Sequence, residues 1–382
     1  MRNLFPALRD SDEVYLDTAA TALKPQVVVD AMARAMGEEY GTVHRAVYKR
    51  AARSTERYEE ARQTVARFCN AKSADEIVFT RGTTDALNLI AACYPLEKGD
   101  EVAVCEGEHH ANLVPWQLAA ERRGIVIRWL PLDDAGCLKP FQLSPKTKVV
   151  AVAHASNVTG TIHPIADIVR QAHAVGAIVV VDGAQAAPHL PVDVQALGCD
   201  FYAFSGHKCY GPTGIGALWG RAELLEKMPP LQGGGDMIQR VTLEKTTFQK
   251  PPLRFEAGTP PIVEAIVLAR ALEFVQEHRG HKLPIELLMQ ELPRVSPRVR
   301  LIGSASERVP LVTFVVEGMH PLDIGMWLDL QGFAVRTGHL CAQPCLRRYG
   351  CEAAVRVSLG LYSSEEEIVR VCKSLSTAID RF

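Results

Sequence analysis

The chain has 382 residues, with 42 Lys and Arg against 44 Asp and Glu, for a formal net charge of −2. At 47% hydrophobic and 23% charged its composition is that of an ordinary globular protein, which excludes disordered, collagen-like and coiled-coil classes. The charge balance leaves no electrostatic footprint for nucleic acid, and no stretch approaches the ~20 apolar residues a membrane span needs. The opening MRNLFPALRD lacks the apolar core of a secretion signal, so the expected location is cytoplasmic. In that compartment the ten cysteines are expected to be free thiols rather than a disulfide framework.

In chain order, helical periodicity is read at 25–38 and 55–69. From residue 76 to 220, short β-branched runs alternate with helical stretches at 84–93, 112–123 and 164–175. The runs are EIVFT, EVAVCE, IVIRWLPL, KVVAVAHAS, AIVVVDGA, DFYAFSG and IGALWG. Seven strands alternating with helices predict a mostly parallel sheet covered by helices, an α/β fold. Gly233–Asp236 and the stretch to Pro252 read as a loop, followed by a helix at 261–277. The last third reads as a smaller α/β unit, with strands in VPLVTFVVEG, GFAVRTG and AAVRVSLG and helices at 321–331 and 364–380. The expected division is a large domain over 17–272 and a small domain formed by 1–16 and 273–382.

The candidate chemistry lies at strand ends, where ligands gather in α/β sheets. Asp182 ends AIVVVDGA, and Lys208 follows the next strand, 26 residues on. Alone, each has a plain structural reading, a turn cap and a surface charge. As a pair they suit pyridoxal phosphate: the amine forms a Schiff base and the carboxylate keeps the pyridine nitrogen protonated. The turn Thr80-Arg81-Gly82-Thr83-Thr84 runs into a helix, and its hydroxyls and free amides form an anion site. With Ser205 and His207 it is a natural seat for a cofactor phosphate. His109, in EHHAN, is placed to stack on a planar ring, and Asn157, in HASNVTG, to hydrogen-bond a ring hydroxyl. The adjacent His109 and His110 have no third ligand at a suitable spacing, so no metal is expected.

These residues resemble a known family. Over nearly its whole length the chain is similar to the fold-type I pyridoxal phosphate enzymes of the class V aminotransferase superfamily, and within it to cysteine desulfurases of the Suf/Csd type. The matching segments include YLDTAAT, RGTTDALN, EHHANLVPW, SNVTG, VDGAQ, FYAFSGHKCYGPTGIG, FEAGTP and RTGHLCAQP. The resemblance implies a large seven-stranded sheet domain with a small α/β domain, and a pyridoxal 5'-phosphate cofactor. It makes Lys208 the Schiff-base lysine, His109 the stacking ring and Asp182 the partner of the pyridine nitrogen. Gln185 would contact the ring oxygen, and Thr83, Ser205 and His207 the phosphate. Thr259 would reach the phosphate of a partner subunit's cofactor, which implies a homodimer.

A cysteine separates the reactions this cofactor supports. Cys341 follows a small, polar stretch in RTGHLCAQP, so it is expected on an exposed loop, with Arg336 and His339 favouring its thiolate. The resemblance identifies this loop with the one that bears the catalytic cysteine of desulfurases. It also makes Arg356 the anchor of a substrate carboxylate, a role suited to a fork-shaped cation. Arg336 would support the cysteine loop, and His44 and Asn157 would frame the substrate pocket. The expected reaction takes L-cysteine, or L-selenocysteine, to alanine, with sulfur passed as a Cys341 persulfide to an acceptor protein or thiol for iron–sulfur cluster assembly or other sulfur metabolism. The alternatives are a selenocysteine lyase or another class V member, an aminotransferase or epimerase. A zinc knot of His339, Cys341, Cys345 and Cys351 is disfavoured, because no C-x2-C pair is present. Cys209, beside Lys208, is expected to face away from the ring. The sequence departs from the family pattern at Pro261, where GTPN is usual, and at Leu340, where a second histidine is usual. The segment 274–300 also reads as shortened.

Overall fold

The computed structural model describes residues 1–381. Its main sheet consists of β1 (Ile77–Thr80), β2 (Glu101–Cys105), β3 (Val126–Leu130), β4 (Thr147–Ala153), β5 (Ile178–Asp182), β6 (Phe201–Ser205) and β7 (Gly216–Gly220). The spatial order is β1-β7-β6-β5-β4-β2-β3. Strand β7 pairs antiparallel with β1 and β6, while the remaining pairs are parallel. Apart from the largely exposed edge strand β3, the strands are nearly continuous apolar runs because helices cover both faces of the sheet. Alternation along each strand still divides the side chains: Val150, Val152, Val179 and Val181 enter one core, and Val149, Ala151, Ile178 and Val180 the other.

The covering helices are α1 (Gln26–Gly37), α2 (Lys49–Cys69), α3 (Thr83–Cys93), α4 (Val114–Arg123), α5 (Ile165–Ala174) and α6 (Ile262–His278). They occupy the stretches expected from periodicity, except that α2 begins at Lys49 rather than near 55. The stretch after Gly233 is not all loop. Ile238–Val241 and Thr246–Phe248 form an antiparallel hairpin, whose short, mostly exposed strands give little hydrophobic alternation to read.

A second sheet holds β8 (Val299–Ile302), β9 (Leu311–Val316), β10 (Arg336–Gly338) and β11 (Ala354–Ser358). Its order is β8-β9-β11-β10, antiparallel throughout. With it go α7 (Ile285–Val295), α8 (Pro321–Leu330), α9 (Gln343–Arg348) and α10 (Glu365–Arg381). The segment 274–300, expected to be shortened, contains all of α7. Pro293 within that helix acts as a breaker in the sequence pattern, yet Leu288 and Leu292 are buried in the small-sheet core, and that burial holds the helix. The run GFAVRTG is divided: Phe333–Ala334 pairs in parallel with Val14–Tyr15, and β10 pairs with β11. Residues 1–16 are likewise shared between cores, with Phe5 and Leu8 in the large one and Val14 and Leu16 in the small one.

Candidate active site

The C-terminal ends of β1, β2, β4, β5 and β6 converge on a cavity of about 230 Å³, closed on its other side by residues of β10, β11 and the loop between β10 and α9. Lys208, Asp182, Gln185, His109, Thr83, Asn157, Ser205, His207, Arg336, Cys341 and Arg356 all line it. His44 and Thr259 do not. The His44 Nε2 meets Glu59 at 2.9 Å and its ring stands edge-on to Tyr58, so within its own chain it does not frame the cavity as expected. Thr259 lines a neighbouring pocket with Tyr58, Arg81 and Gln232.

One corner is built for an anion. Gly82 has φ of 143°, a conformation that favours glycine, and it turns the chain from β1 into α3. The Thr83 N–H donates to Ser205 Oγ at 2.9 Å, and the Thr83 and Ser205 hydroxyls share a hydrogen bond at 2.8 Å. His207 lies beside them, its Nδ1 3.2 Å from Thr21 Oγ1. Burial holds that imidazole down to about 4, so it is neutral at physiological pH.

At the end of β5, Asp182 is 5% exposed and its Oδ1 accepts from the Ala184 N–H at 2.9 Å. Burial raises its pKa. The next residue must be glycine, since a Cβ on Gly183 would sit 2.1 Å from the Tyr202 ring. The turn Gly206–Lys208 follows β6, and burial lowers the Lys208 amine, against the pull of the Asp182 carboxylate. A lowered amine pKa enlarges the neutral, nucleophilic fraction. His109 accepts from the Ala111 N–H through Nδ1 at 3.0 Å, which puts the proton of its neutral ring on Nε2. Burial, then the Lys208 cation, hold it down to about 3. It therefore offers a flat, uncharged face.

The opposite wall is cationic. Arg356 on β11 is in register with Arg336 on β10. Arg356 is 3% exposed; its Nη1 donates to Asn157 O at 3.0 Å and its Nη2 to Asp17 Oδ1 at 3.3 Å. Its Nε is buried with no partner, an unmet donor that a ligand carboxylate would satisfy. Cys341 is half-buried at the tip of the loop, where Leu340 and Cys341 have φ of 52° and 54°. Asn157 lines the cavity, and its amide nitrogen also donates to Leu340 O at 2.7 Å. Leu340 packs into an apolar cluster with Val158, Ala342 and Cys345, which accounts for an apolar residue where the family pattern has histidine.

All ten cysteines are free. Cys345 is fully buried in that cluster, and the Cys351 Sγ contacts Leu346 O at 3.4 Å. Cys209 is fully buried in the large core, and burial pushes its thiol up to about 12. Among the described residues no group of three or more His, Cys, Asp or Glu could hold a metal ion, and no helix is long and apolar enough to cross a membrane. Sequence reasoning missed the supporting roles of three residues behind the cavity wall: Asp17, Glu108 and His110. Asp17 lies in YLDTAAT and the other two in EHHAN, segments whose strand-end position was the available signal.

The donor set fits pyridoxal phosphate: a hydroxyl-lined helix N-terminus, a buried carboxylate, a buried amine and a neutral stacking ring around one cavity. The fold and this site define a pyridoxal-phosphate-dependent enzyme of fold type I. The chain belongs to the class-V aminotransferase family, whose model matches residues 14–371. It is 48% identical to a probable cysteine desulfurase of Mycolicibacterium paratuberculosis, over 96% of this chain and 56% of that protein. It is 47% identical to a cysteine desulfurase of Dickeya dadantii, over 97% of this chain and 94% of that one. Among solved structures it is similar to the cysteine desulfurase CsdA of Escherichia coli, with a TM-score of 0.90, 39% identity, and coverage of 100% of this chain and 98% of that one. The chain thus spans little more than half the length of the mycobacterial relative it matches.

Proposed function

We propose that the protein is an L-cysteine desulfurase whose persulfide-forming thiol is Cys341. The observation that carries this reading is one cavity lined by Lys208, Arg356 and Cys341 together. Cysteine desulfurases are what its relatives are named. Lys208 would hold the cofactor, with Asp182 at the ring nitrogen, His109 on the ring face, Gln185 at the ring oxygen, and Thr83, Ser205 and His207 at the phosphate. When bound, pyridoxal phosphate supplies the electron sink that lets the Cα proton leave and the Cβ–S bond break.

Arg356 orients the substrate by its carboxylate through the free Nε edge, with Arg336 adding positive charge at the rim. The Lys208 amine, its pKa lowered by burial, takes the Cα proton. The Cys341 thiolate attacks the substrate sulfur: an S–S bond forms, the Cβ–S bond breaks, and its electron pair stays with the carbon fragment. Two protons complete alanine, and the persulfide sulfur then moves to an acceptor thiol, free or protein-borne. Selenocysteine fits the same site, since selenium leaves carbon more readily. Thr259 and His44, both outside the cavity of their own chain, suit a homodimer in which they approach the partner's site.

The test is a pair of variants. Purified protein loaded with pyridoxal phosphate is expected to be yellow, and Lys208→Ala to lose that absorbance. Cys341→Ser is expected to keep the colour and to release neither alanine nor sulfide from cysteine. Normal turnover by Cys341→Ser would rule out the persulfide role.

A further inference from the structure

The cysteine loop belongs to the small-sheet part of the chain, yet it is pinned to the large sheet from two sides. Asn157 holds Leu340 O, as described. His110, in the turn after β2, holds the other side. Its backbone N–H donates to Cys341 O at 2.7 Å, and its side-chain Nε2 accepts from the Gln343 N–H at 3.2 Å. The Gln343 amide is the first of α9, one of the amides that helix geometry leaves without a partner. A single residue therefore brackets Cys341, with one bond to its carbonyl and one to the amide two residues on. His339 completes the arrangement: its Nδ1 accepts from the Cys341 N–H at 3.2 Å, and its ring lies 5.8 Å from that of His110.

The clasp matters because Cys341 occupies a conformation that needs support. Two successive non-glycine residues with positive φ, Leu340 and Cys341, each cost free energy that only the surrounding contacts can offset. Without the bond to α9, the loop keeps only its bonds to Asn157 and to the His110 N–H, and the sulfur is held less firmly in the cavity.

We propose that His110 is a positioning residue for the nucleophile: its imidazole holds the Cys341 loop against the cavity by accepting the first amide of α9. The inference rests on the reading of Cys341 as the persulfide thiol, and it makes a claim about loop order that stands apart from turnover. The acceptor must sit where Nε2 does. Glutamine places its Oε1 near that position, whereas alanine supplies no acceptor.

The experiment is iodoacetamide labelling of the cofactor-loaded wild type, His110→Ala and His110→Gln, with modification of the Cys341 peptide followed by mass spectrometry. His110→Ala is expected to label Cys341 about tenfold faster, the factor carried by one lost hydrogen bond of ordinary strength. Its cofactor absorbance should be unchanged, and alanine formation should fall in kcat more than KM rises. His110→Gln is expected to label within about two- to threefold of wild type, since the acceptor is restored. Equal labelling in wild type and His110→Ala would overturn the proposal, as would His110→Gln labelling as fast as His110→Ala. A wild type that makes no alanine from cysteine would instead sink the desulfurase reading and leave the labelling result standing.

Discussion

Glu108 shows how one side chain's surroundings set its chemistry. It is 1% exposed, accepting from the Ala153 N–H at 2.9 Å and from the Asn112 amide at 2.6 Å. Burial outweighs these bonds and pushes its carboxyl up to about 8. A carboxyl with a raised folded-state pKa contributes its full stability below its unfolded value of about 4.5, and loses it as pH rises through about 8. The stability difference between wild type and Glu108→Gln is therefore expected to move in favour of the variant between pH 5 and 9, by on the order of a few kcal/mol. Urea unfolding at several pH values measures this, and a pH-independent difference would show that Glu108 stays ionised. Residue identity alone gave no hint of it. EHHAN is polar as written, and only packing between β2 and β4 makes its first residue a buried acid.

At the scale of elements, the segment FEAGTP is anchored by a buried ion pair. Arg62 on α2 is 1% exposed; it donates from Nη1 to Glu256 Oε1 at 2.6 Å and from Nη2 to Oε2 at 2.9 Å. Tyr58 OH and the Phe79 N–H also donate to this carboxylate, at 3.1 and 2.8 Å. Helix α2, strand β1 and the turn bearing Thr259 thus meet at one charge. Glu256→Ala would take away the buried carboxylate and leave the guanidinium with only the partly exposed Glu59 at its Nε and Ile77 O at its Nη1, so a loss of roughly 3 kcal/mol is expected in urea unfolding. The double variant Arg62→Met, Glu256→Leu is expected to recover much of that loss, because it removes the stranded charge too. A Glu256→Ala variant as stable as wild type would show that the pair does not hold these elements. The inner strands at this scale were readable from sequence because each is buried on both faces and so keeps a nearly unbroken apolar run, whereas the exposed edge strand β3 shows itself by its β-branched and aromatic residues. Helix α7 was not, because its prolines outweigh its pattern until the small-sheet core is present to bury Leu288 and Leu292.

The whole molecule exposes apolar side chains that a single chain leaves without cover. Val47 and Leu243 are fully exposed, and Met36 and Val241 are each 61% exposed. Arg45 pairs with Asp236, which ties the loop after α1 to the segment that leads into the hairpin. These residues suit the homodimer proposed above. Sedimentation of the wild type is expected to give the mass of two chains, and Val47→Asp with Leu243→Asp to shift it toward one, with weaker retention of pyridoxal phosphate. A wild type that sediments as a single chain would overturn the dimer and, with it, the role given to Thr259.

The sequence by itself determined the large sheet, the order of its helices, and the strand-end residues Asp182 and Lys208, because burial on both sheet faces and the ends of parallel strands leave local marks. Only the tertiary structure decided how the opposing wall closes. Arg356 finds Asp17 at 339 positions' separation, and His110 finds Gln343 at 233. Neither bond leaves a trace in spacing or periodicity: the first needs the N-terminal segment laid beside β11, where Asp17 bridges Ser358, and the second needs the cysteine loop folded back onto the turn after β2.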